Sequence, residues 1–173
     1  ANQPFREDDT VDPVNAYGAS KLKGEELATN NNSQSIIIRT SWVYSEFGNN
    51  FVKTMIRLMN DRQSIGVVND QWGSPTYAAD LAAAIMQIIA SEKNTSMPGI
   101  YNYSNTGVIN WYQFADTIKE LSGSKCLVNP IPSSSYPTPA KRPSYSVMDT
   151  TKIQQTFGIS IPAWKDSLIK CLQ

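Results

Sequence analysis

The run SIIIRT, residues 35 to 40, constrains this chain more than any other stretch. Three consecutive isoleucines carry branched side chains that favour an extended backbone. A short run that is apolar on both faces suits a strand buried on both sides, as in a parallel sheet. Parallel neighbours must be joined by long crossovers, usually helical, so helices are expected on either side. Residues 15 to 29 meet that expectation, with Leu22 and Leu27 as apolar contacts and Ala16, Ala19 and Ala28 as helix formers. Gly18 and Gly24 weaken this helix, so it needs tertiary support. NNNS, residues 30 to 33, then breaks it.

The alternation continues to the C-terminus. Helices are predicted over 50–60 and 110–123, the latter starting near Asn110 and ending at Gly123. Another is predicted within GSPTYAADLAAAIMQIIA, with Thr76 as its N-cap and Leu81, Ala84, Ile85 and Ile88 as its buried stripe. Trp111, Phe114, Ile118 and Leu121 recur at helical spacing and are expected in the core. Strands are predicted at 63–68, 99–104 and 126–131. Residues 41–50 are expected to form an aromatic-rich loop, and 132–146 a proline-rich connection. The last 22 or so residues suggest two short helices around a turn. Helices alternating with strands place the chain in the α/β class.

Composition narrows the chemistry. In 173 residues, 15 basic side chains balance 15 acidic ones. That balance gives no reason to expect nucleic acid or an anionic membrane as partner. No apolar run is long enough to span a bilayer. Two cysteines, Cys126 and Cys171, do not form a disulfide framework, and the reducing cytoplasm is the expected compartment. Histidine is absent. His-based triads and His metal sites are therefore excluded, and with two cysteines a zinc site needs unusual carboxylate support. The chemistry must come from Tyr, Lys, Ser, Thr, Asp, Glu or Arg. No glycine-rich strand-to-helix turn is present, so the chain is not a self-contained Rossmann domain.

One pair fits this restricted set. Tyr17 and Lys21 lie four residues apart on the first predicted helix, hence on one face. An ammonium beside a phenol stabilises phenolate, so such a tyrosine can exchange a proton near neutral pH. With eight tyrosines and ten lysines in the chain, the spacing alone also fits a half-buried tyrosine beside a solvated lysine.

The wider text settles more. PVNAYGASKLKGEE resembles the active-site helix of extended short-chain dehydrogenases/reductases. IIIRTSWVYSEFGNNFVKTM, VVNDQWGSPTYAADLA and YPTPAKRPSYSVMDTTK resemble, together and in order, the dTDP-4-dehydrorhamnose reductase family. The resemblance covers essentially the whole chain. It implies the C-terminal part of an extended short-chain dehydrogenase/reductase, with the N-terminal Rossmann half absent. Residues 1–70 are then a remnant of the cofactor-binding domain, and 71–173 mainly the substrate-binding lobe, some segments returning to the main domain.

The resemblance also implies roles. Tyr17 is the proton donor, and Lys21 poises it and holds the nicotinamide ribose of NADPH or NADH. Trp42 lies against the sugar of a dTDP-sugar substrate, Asn49 lines the pocket, and Arg142 approaches the diphosphate. Asn50 is the better candidate for a helix cap, Arg39 for a structural ion pair, and Gln71 and Trp72 border the nucleotide. Some family members hold magnesium at a dimer interface, but Ala79 stands where a ligand is needed, so no metal is expected. The reaction implied is reduction of a 4-keto sugar, with this chain alone inactive for want of the cofactor turn. Alternatives are a sugar-nucleotide epimerase or dehydratase, or a non-catalytic subunit that binds nucleotide sugars. The first helix and strand should leave an apolar face and a strand edge uncovered, inviting a homodimer or local disorder.

Overall fold

The computed structural model describes residues 3–140 and 142–173. Helix α1 (Ala16–Asn31) turns back into strand β1 (Ile36–Thr40). The chain continues through β2 (Val43–Tyr44), α2 (Phe51–Asp61), β3 (Ser64–Val68), β4 (Trp72–Gly73) and β5 (Thr76–Tyr77). Then follow α3 (Ala78–Ala90), β6 (Gly99–Tyr103), β7 (Ile109–Asn110), α4 (Trp111–Ser122) and β8 (Leu127–Ile131). Two short helices, α5 (Thr151–Phe157) and α6 (Trp164–Leu172), close the chain.

Asparagines start three of these helices. The side chains of Asn15, Asn50 and Asn110 accept hydrogen bonds from the N–H groups of Gly18, Lys53 and Gln113, donors that otherwise lack a partner in the first turn. At α4 the Gln113 side chain returns the bond to the Asn110 N–H at 3.0 Å, completing a capping box. Gly123 ends α4 in the left-handed region, at φ +68°.

Strand β1 lies in a parallel pair, as the isoleucine run predicts. β1 pairs with β6 from Ile36↔Gly99 to Thr40↔Tyr103, and β3 with β8 from Ser64↔Leu127 to Val68↔Ile131. β2 pairs with β5 in parallel, and β4 with β7 antiparallel. Two apolar clusters result. In the larger, Tyr44, Met55, Ile65, Phe114, Ile118 and Leu168 join α2, β3, α4 and α6. In the smaller, Ala84, Ile88, Tyr101, Tyr103, Ile153 and Phe157 join α3, β6 and α5.

Four expectations need correction. Thr76 does not cap α3. It is a strand residue of β5, its N–H donates to the Trp42 carbonyl at 3.2 Å, and its hydroxyl accepts from Thr40 at 3.1 Å; the helix starts two residues later. Ile85 is 38% exposed. Because α3 is apolar almost all round, the predicted stripe was drawn too wide: Ala84 and Ile88 are buried and Leu81 packs partly buried against the smaller cluster, but Ile85 does not join them. Leu121 is also 38% exposed, because it lies in the last turn of α4, beyond the buried Phe114 and Ile118. The aromatic loop at 41–50 contains β2, since Tyr44 pairs with Tyr77 and packs into the larger cluster. Cys126 and Cys171 are free thiols.

Candidate active site

Helix α1 contains no buried residue. Polar contacts attach it to β1. The Arg39 guanidinium forks onto Glu25, with Nε 2.9 Å from Oε1 and a terminal nitrogen 2.7 Å from Oε2. A third donor reaches the Glu7 carbonyl at 3.4 Å. The Glu25 contact raises the Arg39 pKa further above its ordinary value, so Arg39 is a structural ion-pair partner, as the sequence suggested. Nearer the turn, the Ser35 hydroxyl donates to the Ala28 carbonyl at 3.3 Å.

These two tethers fix α1 antiparallel to β1. From Glu25 back to Tyr17 a helix climbs about 12 Å, and from Arg39 on to Trp42 an extended chain advances about 10 Å. The N-terminus of α1 and the C-terminal end of β1 therefore lie at the same end. Tyr17 and Trp42 are both carried there, on separate elements.

Tyr17 is 72% exposed, and the Lys21 ammonium stands 5.3 Å from its ring centroid. The sequence pairing is thus realised in space, on an open face. Gly18 beside it packs on Pro13, whose Cβ is 3.2 Å from where a side chain would begin, so the loop before α1 leans on the same turn. Other tyrosines differ. Tyr44 and Tyr103 are 1% exposed, and burial drives their phenols far above the ordinary value. They stay protonated and serve packing.

Trp42 has a less ordinary setting. Its φ is +49°, the one non-glycine residue with positive φ among the described residues, a region costly for a bulky side chain. Its indole stacks on Trp111 at 3.6 Å and 15°, and Trp111 in turn leans on Phe51 at 4.5 Å. Trp42 is half-buried.

The remaining candidates lie on neighbouring loops. Asn49 is exposed, while Asn50 caps α2 and donates to the Ser45 carbonyl at 2.6 Å. Arg142 is exposed at the end of the proline-rich segment; Lys141 beside it lies outside the described residues. That segment is held at both ends. Asp70 accepts from the Ser133 N–H and hydroxyl, which pulls its pKa below the carboxylate range. Further on, the Trp72 N–H donates to the Ser144 carbonyl and the Ser146 N–H to the Trp72 carbonyl, each at 2.8 Å. Trp72 is 38% exposed and Gln71 half-buried. The stretch that follows Arg142 is thus tied to β4 through Ser144 and Ser146.

Sequence reasoning missed Trp111 and Gly73 as neighbours of Trp42, and Ser146 as a neighbour of Gly73. These contacts join residues 31 to 73 apart in the chain, beyond any local spacing signal. It also missed a buried polar knot. Asn105 donates to Asp80 at 2.7 Å and to Ser167 at 3.0 Å, and accepts from the Tyr77 N–H at 2.8 Å. This knot locks the start of α3, the loop after β6 and α6 together. A cleft of about 530 Å³ is lined by Arg6, Glu7, Asp149 and Lys152 among others, and by none of the predicted site residues. Among the described residues no group of three or more acidic or cysteine side chains is placed to hold a metal, and no helix is long and apolar enough to cross a membrane.

The model of the RmlD substrate binding domain family matches residues 1–173. A dTDP-4-dehydrorhamnose reductase of Aggregatibacter actinomycetemcomitans is 44% identical, over 95% of this chain and 58% of its own length. The crystal structure of a Clostridium acetobutylicum dTDP-4-dehydrorhamnose reductase superposes with a TM-score of 0.94 at 40% identity, covering 99% of this chain and 60% of that one. The Bacillus anthracis dTDP-4-dehydrorhamnose reductase, solved in complex with NADP, gives 0.91 at 39% identity, with 98% and 59% covered. The chain therefore spans somewhat under two thirds of these relatives. It belongs to the RmlD substrate binding domain family and corresponds to the C-terminal part of the dTDP-4-dehydrorhamnose reductases, within the extended short-chain dehydrogenases/reductases.

Proposed function

We propose that the protein carrying this chain reduces the 4-keto group of dTDP-4-dehydro-L-rhamnose with NADPH or NADH. The observation that carries the reading is the open Tyr17–Lys21 pair at the C-terminal end of β1, 5.3 Å apart from ring to ammonium. Ligands of open α/β sheets bind at that end of the strands.

The exposed ammonium and phenol form a donor set suited to a ribose hydroxyl, so this chain's residues fit the nicotinamide end of the cofactor. When bound, the nicotinamide supplies hydride. Tyr17 donates its proton to the carbonyl oxygen as negative charge develops there. The Lys21 charge stabilises the phenolate left behind, and its remaining N–H donors orient the ribose. Trp42 offers its indole to the C–H faces and methyl group of the deoxysugar. Arg142 meets the diphosphate, and Asn49 lines the pocket. In the same proposal residues 1–70 carry α1 and β1 on the cofactor side and residues 71–173 carry α4, β8 and the Pro-rich segment of the substrate lobe, with α2 and β3 packed on that lobe and β6 returning to pair with β1.

The test is an assay of the full-length protein with dTDP-4-dehydro-L-rhamnose and NADPH. We expect stoichiometric nicotinamide oxidation, and a loss of about 10²- to 10⁴-fold in kcat for Tyr17→Phe with the fold intact. Nicotinamide returned unchanged after turnover points to an epimerase or dehydratase instead. The isolated chain, lacking a glycine-rich phosphate cradle, is expected to be inactive; turnover at an enzymic rate overturns that part.

A further inference from the structure

Gly73 has an unusual neighbour. A Cβ built on it falls 2.7 Å from Cε2 and Cζ2 of Trp42 and 2.8 Å from the Ser146 Oγ. Neither can give way easily. The indole is stacked on Trp111 at 3.6 Å, and its backbone is fixed by the bond from the Thr76 N–H to the Trp42 carbonyl. Ser146 is held by two bonds to the Trp72 carbonyl, from its N–H at 2.8 Å and its hydroxyl at 3.2 Å.

We infer that Gly73 and Trp111 are specificity-determining positioning residues: together they set the position of the Trp42 indole, and thereby the wall against which the sugar of the nucleotide-sugar substrate lies. The inference rests on the proposed contact between Trp42 and the sugar. Gly73 allows the ring to lie directly over β4, and Trp111 covers one of its surfaces. The left-handed φ of Trp42 is sustained between these contacts, as a preset geometry rather than a flexible loop. Because Ser146 meets the same glycine, a change at Gly73 also moves the segment that bears Arg142.

The experiment uses the full-length protein, measuring kcat and KM separately for dTDP-4-dehydro-L-rhamnose and NADPH, with near-UV circular dichroism for the stacked indoles. For Gly73→Ala, KM for the sugar nucleotide should rise by about tenfold or more while KM for NADPH stays within about twofold, since misplacement of a binding wall by even 1 Å is costly. Adding Trp42→Phe, whose smaller ring relieves the collision, should recover part of that loss. Trp111→Ala should raise the sugar KM without introducing a clash, and it carries the test if Gly73→Ala does not fold. The indole dichroism should change in both single variants. If Trp42→Ala raises the sugar KM but Gly73→Ala and Trp111→Ala leave it within about twofold, the positioning role is overturned. If Trp42→Ala itself leaves the sugar KM unchanged, the sugar contact falls, and this inference with it.

Discussion

Tyr17 and Phe114 both sit near the start of a helix, yet Tyr17 is 72% exposed and Phe114 is fully buried. The two helices are held by different forces. Phe114 packs against Tyr44, Phe51 and Trp164, with ring centroids 5.4 to 5.9 Å apart, and α4 is capped at both ends. Helix α1 has an N-cap but no buried residue, and it is joined to β1 by an arginine fork and a serine hydroxyl. Stability is concentrated in the aromatic lobe, while the candidate chemistry stands on the less anchored helix. Functional segments often come from the low-stability end of a fold, where groups remain free to meet ligands.

The contrast can be broken by mutation. Phe114→Ala should lower the unfolding free energy by about 3–5 kcal/mol, whereas Leu27→Ala, at a residue 51% exposed on α1, should stay within about 0.5 kcal/mol. Urea titration of both variants decides it, and equal losses would remove the distinction. Glu25→Gln should have an intermediate effect, about 1–3 kcal/mol, because it weakens a charge-assisted fork between side chains only 17% and 21% exposed. Its signature should be local: faster amide exchange along α1 with α4 unchanged. Exchange that quickens equally in both helices would mean that α1 opens only with the whole molecule.

The smallest effect concerns acid. Thr151, bonding through its side chain and its N–H, and then Arg6 lower the pKa of Asp149 below its ordinary value of 3.8. A carboxylate depressed in the folded state contributes stability that is fully present above its unfolded pKa and fades as pH falls through the folded one. Asp149 also joins the N-terminal segment: its N–H donates to the Phe5 carbonyl at 2.8 Å, and the Phe5 N–H to the Val147 carbonyl at 2.9 Å. Below pH 3.8 the Phe5 amide should therefore lose exchange protection before the α4 amides do. Asp149→Asn should abolish that early acid step; an unchanged profile would assign it to another group.

Much of the fold was legible. The isoleucine run announced a parallel strand through its β-branched side chains, although Ile36, Ile37 and Ile38 are half-buried rather than buried on both faces. The asparagine at position 110 and glycine at 123 marked the ends of α4 through local hydrogen bonding and a left-handed cap. The i, i+4 spacing placed Lys21 beside Tyr17 because a helix does so wherever it forms. Legibility failed where the signal was symmetric. An α3 apolar on nearly every side let the predicted stripe take in the exposed Ile85, and Thr76, a sound cap by residue type, was taken by pairing with Trp42 and Thr40.

The sequence by itself determined the α/β class, most helix ends, the restriction to chemistry without histidine, and the shared face of Tyr17 and Lys21. All of these follow from interactions within a few residues or from composition. Only the tertiary structure decided that Arg39 spends its charge on Glu25, that Trp42 stacks on Trp111 above Gly73, and that Asn105 ties Asp80 to Ser167. Those contacts join residues 14 to 69 apart in the chain, where no local periodicity reaches and only close packing of the whole chain selects the partner.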